Sequence, residues 1–218
     1  GLPFIAPDYS SAWLLKDVQM EYLQEKFDKK GLMILYTAPW PGQGFYTKFP
    51  VNSVSDFSGK KLRIYSTATQ QMGSMLGFNA TILPFAEIPQ AFSTGLIEAL
   101  FTSPQTGIDI QAWDNTKHFT YAGAIFSKNA VVVTKKAFNA LSKGDQSNIL
   151  AAAKKAELRG WEMSAETTKK QIDILKKNGM SSKNAPDEVI SKMKSIGLEM
   201  MKNWRSKASP EANAVLDR

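Results

Sequence analysis

Apolar side chains recur at helical spacing early in the chain, at Trp13, Leu14, Val18, Tyr22, Leu23 and Phe27. This stripe predicts a helix opening at Ser11 and stopped near Gly31. Before it, Gly1 to Ser10 carries two prolines and the turn-forming run Asp8-Tyr9-Ser10, and reads as a loop. After it the pattern changes. Leu32 to Thr37 (LMILYT) is an unbroken apolar run, which predicts a strand buried on both faces, as in a parallel sheet. A helix feeding such a strand is half of a βαβ unit, and its first strand would lie upstream.

Pro39 to Gly44 (PWPGQG) is loop chemistry around a tryptophan, and Phe45, Tyr46, Phe49 and Val51 predict a short strand. From there short elements alternate. Leu62 to Ser66 reads as a strand, Ala68 to Leu76 as a helix ended by Gly77, and Thr81 to Leu83 as a strand ended by Pro84. Glu87 to Thr94 reads as a helix closed by Gly95, and Ala99 to Ser103 as a strand running into a Gly/Pro-containing loop. That alternation predicts an α/β lobe. Asn129 to Lys135 predicts a second buried strand, and everything beyond it reads as helical.

Ser142 with Asp145 three residues on resembles a capping box, and Leu150, Leu158, Trp161, Ala165, Ile172 and Leu175 follow at helical steps to Gly179. Roughly 35 residues of helix would be about 50 Å long, so the element is expected to run across two lobes. A further amphipathic helix is predicted from Pro186 to Lys207, with Val189, Met193, Ile196, Met200 and Trp204 on one face.

Charge refines this picture. Of the 218 residues, 1–134 hold ten basic and ten acidic side chains, whereas 135–207 hold sixteen and eight. The excess lysines are interleaved with glutamates and lack an arginine cluster or aromatic platform, so they read as a solvated helical face rather than a nucleic-acid surface. With no cysteine and one histidine, thiol chemistry and multi-histidine metal centres are excluded. His118 has the setting of a structural residue, and Trp113 and Trp161 that of core residues. No phosphate loop, HExxH, GxSxG or catalytic dyad occurs, and the pattern calls for no cofactor. No apolar run approaches membrane-spanning length, and no apolar leader opens the residues given.

A series of short motifs then lines up: Pro50-Val51; Asp56-Phe57-Ser58-Gly59-Lys60-Lys61-Leu62-Arg63-Ile64; Leu76-Gly77; Pro84-Phe85-Ala86-Glu87; and Ala91 to Gly95. In this order and spacing the chain resembles the extracytoplasmic solute-binding proteins of tripartite ATP-independent periplasmic (TRAP) transporters, from Gly1-Leu2-Pro3-Phe4 onward. The long helix after Leu141-Ser142 resembles that family's interdomain helix. The resemblance implies a two-lobe, type II-like periplasmic binding protein fold with its first lobe incomplete. Residues 1–38 and 129–145 would belong to lobe I and 39–128 to lobe II, while 146–218 would form the interdomain and C-terminal helices.

It also implies a function. The protein would sit in the periplasm, capture a small-molecule carboxylate without catalysing a reaction, and pass it to integral-membrane permease subunits. Arg63 is the expected anchor, since its planar guanidinium can grip a carboxylate with two parallel hydrogen bonds. Gln43 stands where many family members place a second polar or basic contact, Trp40 could wall the pocket or fill the core, and Tyr65 could stack on the ligand or bond to it. After Gly95, the run Ile97-Glu98-Ala99-Leu100-Phe101-Thr102-Ser103 departs from the family's acidic residue and asparagine. With Phe101 and Thr102 or Ser103 in those places, the expected ligand is an apolar or aromatic monocarboxylate. Hinges are expected near Thr37–Trp40 and Ser127–Ala130. The alternatives are an α/β enzyme whose catalytic residues lie upstream of Gly1, and a nucleic-acid module built on the basic helices.

Overall fold

The computed structural model describes residues 2–217; Gly1, where the loop reading begins, lies outside them. Helix α1 (Tyr9–Asp28) starts two residues before the predicted opening at Ser11, because the Asp8 carboxylate accepts the Ser11 N–H as an N-cap. Gly31, at φ +71°, turns the chain into β1 (Leu32–Pro39). β1 pairs antiparallel with β7 (Lys128–Thr134) as a two-stranded sheet. The parallel, doubly buried reading of Leu32 to Thr37 is therefore corrected. Only Ile34 and Thr37 of β1 are buried, and β7 likewise alternates partly buried with exposed residues instead of lying in a core.

The other strands build one six-stranded sheet in the order β4-β3-β5-β2-β6-β8. Its members are β2 (Gly44–Thr47), β3 (Lys61–Ile64), β4 (Asn79–Ile82), β5 (Ala99–Thr102), β6 (His118–Tyr121) and β8 (Ser181–Asn184). Strands β4, β3 and β5 run parallel, β2 runs against both β5 and β6, and β8 lies parallel to β6. Hence β2 alone is reversed, and the carboxyl ends of the other five share one edge with the start of β2. Phe49 and Val51 fall outside β2. β6 and β8 were not read from the sequence, and β8 corrects the all-helical reading of the last third. Its polar SSKN run is an edge strand with three of four residues exposed, so it carries no apolar signature.

Period-two alternation loads both faces of this sheet. One face, with Phe45, Leu62, Ile64 and Phe101, meets α2 (Thr67–Met75) through Met72, and α7 (Asp187–Arg205) through Val189, Met193, Ile196 and Met200. The other face, with Tyr46, Leu100 and Phe119, meets Ile88 and Phe92 of α3 (Ile88–Ser93), and Leu175. Loss of any of these aromatic anchors would forfeit about 3–5 kcal/mol.

The segment after β5, read as a loop, holds α4 (Pro104–Asp109), capped by the Ser103 hydroxyl at the Thr106 N–H with proline in the first turn. Gly107 of α4 rests on the Tyr46 ring, so a Cβ there would collide with the ring edge and hydroxyl. Alanine gains about 1 kcal/mol of helix propensity over glycine. A clash with a wholly buried ring costs about 1–3 kcal/mol or more, so Gly107→Ala is expected to lower stability in a urea titration despite its better propensity.

α5 (Lys135–Asn139) leads into α6 (Lys143–Lys177), whose 35 residues begin at the predicted Ser142 cap. Trp161 and Leu175 of α6 are buried, whereas Leu150 and Leu158 of the predicted stripe are exposed. α8 (Pro210–Leu216) ends the described chain against α1. Residues 40–43, residues 122–127 and α6 thus carry the chain between the small sheet and the large one.

Candidate functional site

The shared carboxyl edge of the parallel strands is where open α/β sheets bind small molecules, because strand ends and helix starts leave polar groups facing a crevice. Arg63 is the penultimate residue of β3 at this edge, opposite Leu100. It is 5% exposed, and its Nε donates to the Leu83 carbonyl at 3.0 Å. That is the only hydrogen bond of the guanidinium among the described residues, and no carboxylate lies within ion-pair distance of it. Burial pulls its pKa below the usual arginine value, but a guanidinium still keeps its charge. A cation enclosed to this degree without an anion is costly.

Tyr65 stands just past the end of β3, with its ring centroid 6.0 Å from the Arg63 Cζ. Its hydroxyl donates to Gln43 Oε1 at 2.8 Å, and Gln43 Nε2 donates to Ser127 Oγ at 3.0 Å. Desolvation pushes the Tyr65 pKa up to about 12, so the hydroxyl remains a donor at neutral pH. Arg63, Tyr65 and Gln43 therefore come together, although Gln43, at 3% exposed, spends both ends of its amide on protein partners.

The register Gly44↔Thr102 sets Gln43 beside Ser103 at the same edge. Thr102 and Ser103 are buried there, and the Ser103 hydroxyl is occupied as the α4 cap. Phe101 needs a correction. It is 0% exposed and packs on Phe45 at 4.9 Å in the closed core, because alternation along β5 points it away from the crevice. Trp40 lines a cavity of about 240 Å³, to which Arg63 does not contribute, with Gln105, Asn129, Thr167 and Gln171, against α6. A second cavity, about 430 Å³, is bounded by Ala68, Ser127, Lys128 and Gln19.

Sequence reasoning missed Leu83, which acts through its carbonyl and so leaves no residue-type signal, and Ser127, a lone serine in GAIFSKN. Among the described residues no group of three or more His, Asp or Glu could hold a metal ion, and no helix is long and apolar enough to cross a membrane.

One enclosed arginine thus stands at a sheet edge close to the segments that link the two sheets. The chain belongs to the bacterial extracellular solute-binding protein family 7 (DctP), whose model matches residues 1–207. It is similar over its whole length to the Bordetella pertussis extracytoplasmic solute receptor DctP7, which binds pyroglutamic acid, at 37% identity and a TM-score of 0.97; it covers 72% of that chain. A marine metagenome TRAP solute binding protein specific for pyroglutamate is 32% identical, with a TM-score of 0.93 over 99% of this chain and 71% of that one. A solute-binding protein of Chromohalobacter salexigens is 25% identical over 181 residues, 79% of this chain. The chain spans about half, 53%, of that relative's length. The fold is thus the two-lobe, type II-like fold of TRAP receptors.

Proposed function

We propose that this protein captures a compact monocarboxylate, of the pyroglutamate class, in the periplasm and hands it to the membrane subunits of a TRAP transporter. The observation that carries the reading is Arg63: an enclosed guanidinium whose terminal nitrogens make no hydrogen bond among the described residues. A carboxylate entering there supplies both the missing charge and two acceptors in one plane. Closure of the lobes removes water and strengthens the pair, and ligand binding shifts the population toward the closed form. Residues 39–128 act as the lobe that holds the anion, with hinges near Thr37–Trp40 and Ser127–Ala130.

The ligand carries one carboxylate because the neighbouring polar group is an amide, Gln43, and among the described residues the other cation on a strand end at this edge, Lys183 of the far strand β8, is bonded to Asn52. This departs from the expectation of an aromatic or apolar acid in one respect. Phe101 is spent on the core, and the relatives at 32–37% identity bind a polar lactam acid. The group beyond the carboxylate is therefore small and cyclic rather than aromatic.

A thermal-shift series on the purified protein with pyroglutamate, benzoate, succinate and sialic acid tests this. At about one hundred times Kd a ligand adds about 2.7 kcal/mol, so pyroglutamate should raise Tm by several degrees. A larger shift with succinate or sialic acid, or none with any acid, would overturn the reading.

A further inference from the structure

Gln43 touches three parts of the molecule at once. Its backbone N–H donates to the Ile125 carbonyl at 3.3 Å, and its own carbonyl accepts the Gly123 N–H at 2.9 Å and the Ala122 N–H at 3.3 Å. Gln43 in the first strand link is thereby fastened to residues 122–127, the second link between the two sheets. Three residues earlier the Trp40 N–H donates to the Ser127 carbonyl at 2.8 Å, closing the same ladder. The side chain then reaches the other way. Its amide joins Ser127 Oγ to the Tyr65 hydroxyl, and Tyr65 directly follows the strand that holds Arg63.

From this geometry we infer that Gln43 is a positioning residue that ties the Arg63–Tyr65 end of the pocket to both hinge links, so that the pocket and the hinge move as one unit. The inference rests on the receptor reading above and adds to it the residue through which solute binding reaches the hinge. Three features carry it. The amide is 3% exposed, and its carbonyl and amino ends each meet a hydroxyl, that of Tyr65 on one side and that of Ser127 on the other. A Cβ on its neighbour Gly42 would collide with the Tyr121 hydroxyl and the Phe126 ring, so the link passes there only as glycine. The Tyr65 ring, held by this amide, in turn sits against Arg63. A displacement of residues 122–127 is therefore transmitted to the tyrosine beside the bound anion through the two hydrogen bonds of the Gln43 amide, alongside the direct approach of the Ser127 hydroxyl to that of Tyr65.

Affinity and dissociation rate for pyroglutamate, measured on the purified protein and its variants, test the inference. Ser127→Ala removes a hydroxyl that bonds to Gln43. It is expected to weaken binding roughly fivefold, within the range of coupling between linked sites, mainly through faster dissociation. In a Gln43→Leu background the same substitution should weaken affinity by no more than about twofold, because the amide route is cut and only the direct approach of Ser127 to Tyr65 remains. Tyr65→Phe, which removes only one hydroxyl, should mask the Ser127 effect in the same way and serves if Gln43→Leu does not fold. A Ser127→Ala loss that persists undiminished in both backgrounds, or no loss at all, would overturn the relay. An Arg63→Ala control separates the two claims: if it binds pyroglutamate like wild type, the receptor reading fails; if it loses binding while Ser127 and Gln43 behave additively, only the relay fails.

Discussion

Arg63→Ala is expected to abolish measurable pyroglutamate binding while leaving the unliganded protein as stable as wild type. Truncating one partner of an enclosed, charge-assisted pair costs about 2–5 kcal/mol. Since about 1.4 kcal/mol is a factor of ten, the loss in affinity is at least about 30-fold and reaches several-thousand-fold. Stability should move in the other direction or not at all. Only the Nε bond to the Leu83 carbonyl is lost, worth about 1 kcal/mol, and removal of an enclosed cation that lacks an anion returns a comparable amount or more. Arg63→Lys keeps the charge but not the planar fork, and should lose roughly tenfold. Calorimetric titration with pyroglutamate, paired with urea unfolding of the free proteins, checks both halves. Unchanged affinity in the alanine variant would remove Arg63 from the site, and a large drop in unliganded stability would make it a scaffold residue.

How far this arginine was legible from sequence shows what patterning can carry. The motif around Gly59-Lys60-Lys61-Leu62-Arg63 placed it on a strand, and the structure confirms that strand at Lys61–Ile64. The long helix was equally plain, since Ser142 and Asp145 mark its start and Gly179, at φ +86°, lies just past its end. What escaped has physical reasons. β1 looked like a parallel-sheet strand because its side chains are apolar, but among the described residues it pairs antiparallel with β7, and apolar content does not set strand direction. β8 escaped for the opposite reason: a polar edge strand is held by backbone bonds to β6, which any residue type can make. α4 was hidden behind a proline and a glycine read as loop signals, although Ser103-Pro104 is also a sound helix start. Within the site the arginine and tyrosine were readable as chemistry. The direction of Phe101 was not, because it depends on which face of β5 the closed core occupies.

Glu157→Ala is expected to have the largest effect on stability of any single truncation outside the apolar core. Glu157 of α6 accepts the Thr37 N–H at 2.8 Å and the Thr37 hydroxyl at 2.6 Å through the same oxygen. Its other oxygen lies 3.5 Å from Lys16 Nζ of α1. Thr37 in turn accepts the Trp161 indole N–H at 3.2 Å, and Trp161 meets Trp13 edge-on at 5.1 Å. One carboxylate therefore fastens α6 and α1 to β1 within three residues of the first inter-sheet link. Its removal orphans a buried backbone N–H, a buried hydroxyl and part of the pairing of a lysine that is 4% exposed. Each unsatisfied neutral donor costs about 1–3 kcal/mol. Lys16 retains Asp17 at 2.6 Å, so its share is smaller than the 3–5 kcal/mol of a buried pair broken outright. About 3 kcal/mol in all is the expected loss, read as a lower urea midpoint with an unchanged slope. Thr37→Val, which keeps the shape and the N–H bond, should lose only about 1–2 kcal/mol, chiefly by stranding the indole. Were Glu157→Ala no worse than Thr37→Val, the carboxylate would be a bystander and the helix would be held to the hinge strand by its tryptophan alone.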